Sequence, residues 1–272
     1  MHLGVDVGGT FTDAVLAFDG RLVTAKAPTT PGDQSEGVLA AVSAVLERAG
    51  ATAADVTGFS HGMTVATNAL LEGRGARTAF VATEGFADLI ALGRQDRPEL
   101  YRLCAARPAP LAPPERRFGA PERMTPDGPL RRLTDAGARA VARAVAACEP
   151  EAVAVALLHS YRHPAHELAL GEALARELGG DAHLSLSHQV VGTFREYERA
   201  ATTEVDAALS PLLGGYLRGL ARRCARDGLP APSIMQSNGG LIDMEAAAAQ
   251  AAWTVLSGHA GGAAAADHVA RA

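Results

Sequence analysis

The sequence predicts an α/β protein with a mixed sheet and flanking helices, and three observations carry that prediction. First, the chain opens as a strand meander. The apolar run 3–7 stops at Gly8-Gly9-Thr10, Phe11–Phe18 reads as a second strand, and the turn Asp19-Gly20 leads into a third at 21–27. Second, strand-length apolar runs later alternate with segments of helical spacing, the pattern of an α/β domain. Third, 272 residues at 48% hydrophobic content can bury one large core or two smaller ones.

After the meander, residues 35–48 put Val38, Leu39, Val42, Val45 and Leu46 at helical spacing, with Gly50 just past the end. A short strand at 56–60 leads into His61-Gly62, and a helix follows at 65–71. Residues 77–82 read as a buried strand. The stretch 97–129 is punctuated by Pro98, Pro108, Pro110, Pro113, Pro114, Pro121, Pro126 and Pro129, so it reads as a long loop or a partly extended excursion. A helix at 135–148, a strand at 152–158 and a helix at 165–178 restore the alternation. Residues 196–227 are mainly helical, with an interruption expected near Ser210-Pro211. A strand at 233–236 ends in Ser237-Asn238-Gly239-Gly240. A last apolar strand at 254–256 meets Ser257-Gly258-His259-Ala260-Gly261-Gly262, and the remaining residues read as the opening of a helix. No internal repeat of fixed period is present.

Composition narrows the function classes. The net charge is −5 with no long basic run, so nucleic acid is not an expected partner. Apolar runs are strand-length and no membrane span is expected. The N-terminus enters a strand without a signal-type segment. Cys104, Cys148 and Cys224 are widely spaced and odd in number, which argues for a reducing compartment and a cytoplasmic location.

The first fifteen residues carry the sharpest chemical signal. Two glycines in a tight turn between strands leave backbone N–H groups bare, and such groups form an anion nest. Thr10 and Thr12 add hydroxyl donors, while Asp6 and Asp13 place carboxylates where a hydrated divalent metal is held. Phosphate plus metal suggests a nucleotide. By itself Gly8-Gly9 is also an ordinary hairpin turn. The loop is neither a G-x-x-x-x-G-K-[ST] nor a G-x-G-x-x-G entering a helix.

Other clusters have two readings each. His61, Thr64, Thr67 and Asn68 stand at a strand-to-helix junction and converge on a ligand, or Thr64 simply caps the helix and His61 is a packed polar residue. Arg94 and Arg97 suit carboxylate recognition, or pair locally with Asp96 or Glu99. His159, His163 and His166 lack a completing ligand apart from Glu167, so a helix beginning after Pro164 explains them better than zinc. Ser160 sits in no G-x-S-x-G elbow. Glu196, Glu198 and Arg199 form an acid–base cluster or, on spacing alone, ordinary surface pairs. The glycines of 237–240 and 257–262 permit close approach of a ligand, or punctuate strand-to-helix turns.

The pattern D-x-G-G-T-x-x-D resembles the first phosphate loop of the actin, sugar kinase and Hsp70 ATPase superfamily. Seven ordered blocks extend the resemblance nearly end to end: GVDVGGTFTD, HGMTVATNALLE, GRQDRPELY, LLHSYRHPAHE, EYERAATTEVDAALSP, MQSNGGL and LSGHAGG. In that order they resemble the hydantoinase A / 5-oxoprolinase family, which includes N-methylhydantoinases and large subunits of ketone carboxylases. The resemblance implies an actin-like (ribonuclease H-like) fold. It implies a family N-terminal domain over 1–185 and the start of the core domain over 190–272. It also implies ATP and Mg²⁺, with Asp6 as the catalytic and metal-positioning acid. Phosphate and cofactor contacts fall to Gly8, Gly9, Thr10, Thr12 and Asp13, and to Gly258, Gly261 and Gly262. Substrate contacts fall to His61, Thr64, Asn68 and Arg94. The reaction implied is ATP-dependent opening of a cyclic amide through phosphoryl activation of the amide oxygen. A ketone carboxylase subunit is the alternative, and a sugar-kinase-like ATPase or a non-catalytic remnant stands behind it. The implied partners are a B-type subunit or a further C-terminal half carrying a second phosphate loop. The chain departs from the family pattern at Met63, Asp206 and His259.

Overall fold

The computed structural model describes residues 1–30, 32–96, 99–102 and 108–271, with backbone only at 268 and 269. Arg97, Pro98 and Cys104 lie outside the described residues. In chain order the first elements are β1 (His2–Val7), β2 (Phe11–Phe18), β3 (Arg21–Pro28), α1 (Gln34–Ala49), β4 (Gly58–Met63) and α2 (Val65–Leu71). Next come β5 (Thr78–Thr83), α3 (Leu89–Leu92), β6 (Arg117–Ala120), β7 (Arg123–Thr125), β8 (Gly128–Arg131) and α4 (Asp135–Ala146). They are followed by β9 (Ala152–Ala156), α5 (Ala165–Leu178), β10 (His183–Leu186), α6 (Ser187–Val190) and the long α7 (Glu196–Arg226). The chain closes with β11 (Ser233–Met235), β12 (Leu241–Ile242), α8 (Met244–Ala249) and α9 (Ser257–Arg271). Two compact units result. One comprises Met1–Arg74 and Leu212–Ala272; the other, Gly75–Pro211, is inserted in sequence between those halves.

In the first unit six strands run in the order β12-β11-β4-β1-β2-β3. The β1–β2 and β2–β3 pairs are antiparallel, whereas β4 joins β1 in parallel and β11 joins β4 in parallel. Strand alternation sorts the sheet into two unlike faces. Leu3, Val5, Val7, Ala14 and Leu16 point to one face and are buried. There α1 brings Val38, Ala41, Val42 and Val45, each buried and each worth about 1–3 kcal/mol by the area it removes from water. Asp33 caps the start of α1, its side chain accepting from the Ser35 N–H, and Gly50 ends it at φ 63°. The opposite face carries Gly4, Asp6, Asp13, Ser60 and Gly62, and α9 lies over it.

The second unit is built on four parallel strands in the order β10-β9-β5-β6. Every residue of β5 and β9 is buried, as a parallel sheet covered on both faces requires. Val141, Val145, Leu170 and Leu174 of α4 and α5 cover one face. Ile90, Ala112, Ala200 and Ala207 pack against the other.

This core also holds charge. Glu167 is fully buried and accepts four hydrogen bonds: from the Leu157 N–H at 2.8 Å, Ser187 Oγ at 2.6 Å, and the His188 N–H and Nδ1 at 3.1 and 2.6 Å. Arg199, equally buried, donates to Ser187 Oγ at 2.9 Å, to the carbonyls of Leu157 and Thr193 at 2.7 and 3.1 Å, and to the Glu196 carboxylate. A second group joins Glu122 to Thr83 and to His166 Nδ1, the latter at 2.7 Å. The Leu133 N–H donates to His166 Nε2 at 3.3 Å, so His166 carries its proton on Nδ1.

The proline-rich stretch takes the partly extended form among the two expected, and three other sequence expectations are corrected here. The stretch contains β6, which pairs with β5, and the β7–β8 hairpin, whose turn Pro126-Asp127-Gly128 is itself a turn signature. Helix α7 runs through Pro211 without a break, with Leu209, Leu213, Leu217 and Leu220 fully buried along it. That burial offsets the one backbone hydrogen bond that proline forgoes. Residues 254–256 form no strand. Ser237 Oγ takes the carbonyls of Trp253 and Val255, the Leu256 N–H goes to Thr67 Oγ1, and α9 begins at Ser257. The Glu196–Arg199 pair has surface spacing but a fully buried guanidinium. Strands β10 and β12, absent from the sequence reading, are too short for a periodic signal.

Removing one partner of a buried, hydrogen-bonded charge typically costs about 3–5 kcal/mol. Arg199→Met is expected to lower the unfolding free energy by roughly that amount, measured by chemical denaturation. Arg176→Ala, which removes an exposed pair with Glu172, is expected to leave the denaturation midpoint nearly unchanged.

Candidate functional site

Val7 and Met63 are register partners at the carboxyl ends of two parallel strands. Beyond Val7 the chain turns through Gly8-Gly9-Thr10 into the antiparallel β2, and beyond Met63 it passes through Thr64 into α2. The Gly8 N–H closes the turn on the Phe11 carbonyl at 3.0 Å. A Cβ at Gly8 would sit 3.0 Å from that oxygen, so the turn needs glycine. The loop is pinned on both sides. Thr29 donates from Oγ1 to the Gly8 carbonyl at 3.0 Å and from its N–H to the Thr10 carbonyl at 2.9 Å. Thr64 donates from N–H and Oγ1 to the Val7 carbonyl at 3.1 and 2.9 Å, and Asn68 Nδ2 donates to Thr64 Oγ1 at 3.3 Å. Asn68 Nδ2 lies 3.9 Å from where a Cβ of Gly9 would stand. The N–H groups of Gly9 and Thr10 have no acceptor among the described residues. Bare, fixed donors of this kind suit an anion.

One residue back from the turn, Asp6 and Asp13 face each other across the β1–β2 ladder. Lys26 Nζ holds Asp13 at 2.8 Å, whereas Asp6 has no ion-pair partner among the described residues. Desolvation by the surrounding walls, and then the neighbouring Asp13 charge, push the Asp6 carboxyl above the ordinary carboxylate range. Asp6 and Asp13 line a cavity of about 440 Å³ with Gly4, Ser60 and Gly62 of the sheet and Gly258, Gly261, Gly262 and Ala265 of α9. Glycine is what lets the walls meet. A Cβ at Gly62 would lie 3.0 Å from Asp6 Oδ1, and one at Gly261 would lie 2.9 Å from Met235 Sδ. Ser257 Oγ fixes the start of α9 on the Met63 carbonyl at 3.0 Å. Two carboxylates with one cation partner between them suit a hydrated Mg²⁺, which takes one or two carboxylates and fills its octahedron with water and phosphate oxygens.

The structure sorts the sequence candidates. Asp6, Asp13, Gly258, Gly261 and Gly262 share the cavity. Gly8, Gly9, Thr10, Thr64 and Asn68 share the strand-end loop. Thr12 and His61 do not belong with either. Thr12 pairs with Val7 on the apolar face, is fully buried, and shares a 3.1 Å hydrogen bond with Thr29 Oγ1. His61, register partner of Val5, is fully buried with Nε2 2.8 Å from Tyr216 Oη and Nδ1 3.3 Å from the Val5 carbonyl. Burial pushes its pKa down to about 4, so it is a neutral core residue at pH 7. Arg94 lies in the inserted unit, 2.8 Å from Glu198, and lines a separate cavity of about 300 Å³ with Tyr197 and Asp96. His163 meets the Pro126 carbonyl and His166 meets Glu122. Of the departures, Met63 is buried, Asp206 accepts from Ser185 Oγ at 2.7 Å, and His259 is exposed in the first turn of α9. Ser60 and Gly62 went unnoticed in the sequence. The small-residue alternation of β4, Gly58-Phe59-Ser60-His61-Gly62-Met63, was the signal for them.

A glycine turn between antiparallel strands, an acid pair beside it, and a sheet ordered β3-β2-β1-β4-β11 belong to an actin-like α/β fold. Comparison with known proteins gives the family. The hydantoinase/oxoprolinase N-terminal region matches residues 2–178 and the hydantoinase/oxoprolinase region matches residues 199–272, so the chain belongs to the hydantoinase/oxoprolinase family. It is 32% identical to the caprolactamase alpha subunit of Pseudomonas jessenii, over 88% of this chain and 36% of that one. The crystal structure of that organism's ATP-dependent caprolactamase superposes with a TM-score of 0.78 at 32% identity, over 89% of this chain and 36% of the other. The acetophenone carboxylase gamma subunit of Aromatoleum aromaticum is 35% identical over 76% of this chain and 31% of its own. A nucleotide-free acetone carboxylase shares the fold at 24% identity and TM-score 0.88, covering 99% of this chain and 40% of that one. The chain thus spans between 22% and 39% of the length of the curated relatives it matches. Among the described residues, no helix is long and apolar enough to cross a membrane.

The buried His61 makes stability depend on pH. Its folded pKa of about 4 lies below the ordinary 6.5, so between those values the unfolded state binds more protons. Stability is therefore full above pH 6.5 and declines as pH falls toward 4, by about 3 kcal/mol at most. Urea unfolding from pH 7 to 4.5 is expected to show this loss, and His61→Gln is expected to flatten it. Carbon-detected NMR titration of Asp6 is expected to show an elevated midpoint. Asp13→Asn lowers that midpoint only in part, because desolvation, the larger cause, persists.

Proposed function

We propose that this chain supplies the first phosphate loop of an ATP-dependent enzyme that opens a cyclic amide by phosphoryl activation of the amide oxygen. The observation that carries the reading is the pair of free N–H groups at Gly9 and Thr10, fixed beside the facing carboxylates of Asp6 and Asp13. The loop amides and the exposed Thr10 hydroxyl donate to phosphate oxygens, and the Asn68 amide borders the same loop. Asp6 would orient a hydrated metal, and Lys26 holds Asp13 so that the two acids do not crowd the same position. Bound Mg²⁺ supplies charge neutralisation on the phosphates. Pinning by Thr29 and Thr64 means that the donors need no rearrangement when phosphate arrives, which is where electrostatic catalysis gains most. Gly258, Gly261 and Gly262 allow a ligand to lie against the start of α9. In the inserted unit, Arg94 is the candidate for a substrate carboxylate. Burial removes Thr12 and His61 from the ligand contacts.

The relatives named above support ATP use, and their subunit names support a second chain as partner. A cytoplasmic location fits a nucleotide substrate. The family regions at 2–178 and 199–272 support reading the chain as a family N-terminal domain to about 185 followed by the start of the core domain from about 190. The second reading, a ketone carboxylase subunit, draws on the 35% identity to the acetophenone carboxylase gamma subunit.

Calorimetry with Mg-ATP tests the loop directly. Phosphate release from the enzyme assembled with its partner, with 5-oxoproline, hydantoin and caprolactam set against acetone and acetophenone with bicarbonate, separates the two reactions. Asp6→Asn is expected to lower substrate-dependent phosphate release about a hundredfold while thermal melting hardly moves. Unchanged turnover would remove Asp6 from the mechanism. Absence of Mg-ATP binding, together with no phosphate release on any substrate, would end the reading.

A further inference from the structure

The larger cavity of the first unit, about 610 Å³, has no place in the chemistry above. It lies between the start of α1 and the second half of α7. Arg222, Arg223 and Arg226 line it together with Gly215, Tyr216 and Gly219 of α7 and with Asp33 and Ser35 at the start of α1. Its positive charge is only partly neutralised. Arg223 is bonded to Asp33 and stands 4.0 Å from Glu36, and Arg226 forks onto Asp227 at 2.8 and 3.2 Å. Arg222 meets no acid among the described residues.

Arginines in the last turn of a helix are ordinary complements of its dipole, and Arg223 and Arg226 are there. The dipole does not explain the two glycines. A Cβ at Gly215 or Gly219 would meet no atom within 4 Å, so packing does not demand glycine at either position. Glycine in a helix interior is less stable than alanine. What glycine provides is helix backbone that a ligand can touch.

We propose that this cavity binds a small polyanion, a di- or tricarboxylate or a phosphate ester, held by Arg222 with Arg223 and Arg226 and laid against the backbone at Gly215 and Gly219. Guanidinium forks match both anion types bidentately, and the volume is that of a small-molecule site. Tyr216 links the cavity wall to the strands. Tyr216 lines the cavity, its hydroxyl pairs with His61 Nε2, and His61 Nδ1 reaches the carbonyl of Val5, the residue before Asp6.

The test is isothermal calorimetry on the 272-residue chain with citrate and pyrophosphate as separate probes. In Mg²⁺-free buffer, where the Gly8-Gly9-Thr10 loop lacks the metal its proposed role calls for, saturable binding of a probe at one cavity site per chain is expected. It should weaken about tenfold or more in Arg222→Gln, which removes a bidentate charge, and in Gly219→Leu, which adds a side chain there and favours the helix. Asp6→Asn should leave it unchanged. Preference for citrate assigns a carboxylate ligand, and preference for pyrophosphate a phosphate ester. Absence of saturable binding by either probe overturns the proposal. So does binding indifferent to both cavity substitutions, or binding lost only in Asp6→Asn, which would place the anion at the Gly8-Gly9-Thr10 loop.

Discussion

The carbonyl oxygen of Val7 receives two hydrogen bonds from Thr64, one from its N–H and one from its hydroxyl. Through that atom the end of β1, the glycine turn and the start of α2 become one rigid corner. The parallel pairing of β1 with β4 brings the two strand ends level, and Thr64 then joins them. Without it the turn would still close on Phe11 and still be held by Thr29 at the Gly8 and Thr10 carbonyls, but its link to α2 would be lost. Asn68 is positioned through the same hydroxyl. The candidate site therefore depends on a backbone acceptor and one threonine, and only secondarily on the acids around them.

The sheet of the first unit divides its labour by face. The side bearing Leu3, Val5 and Val7 is packed by α1, and it also takes in His61, Thr12 and Tyr216 as satisfied polar groups. The other side keeps small residues and two acids, and helix α9 can approach because glycines line both walls. A polar residue is thus functional or structural according to its parity along the strand. His61 and Gly62 are neighbours in sequence, yet one faces Tyr216 and the other faces Asp6.

Much of this was legible in the residues. The meander, the turn at Gly8-Gly9, the α1 stripe and the helices at 65–71 and 165–178 all carry strong local periodicity or turn chemistry. Legibility stopped where long-range contacts decide. Strand β6 is a strand only because β5 lies beside it, and Pro211 is tolerated because leucines on either side are buried. The apolar 254–256 segment has the composition of a strand, but its Val255 carbonyl and the preceding Trp253 carbonyl accept from Ser237 Oγ. Spacing alone made Arg199 a surface residue. Its burial became visible only with the carbonyls of Leu157 and Thr193 that surround it. At the site, the identity of the loop was plain, whereas the exclusion of Thr12 and His61 needed the register of three strands.

The interleaving of the two units bears on how the chain reaches this state. Strand β4 receives β11 only after residues 75–211 have been made, since Ser60 pairs with Ser233. Closing so long a loop from a disordered intervening segment is entropically costly, and such non-local pairings slow folding. If the inserted unit folds first, as domains generally do on emerging from the ribosome, its ends come together and the effective loop shrinks. Until then β4 is an open strand edge, and such edges recruit other chains. Chain order thus leaves this edge of β4 unpaired until residues 75–211 have been made, independently of any ligand.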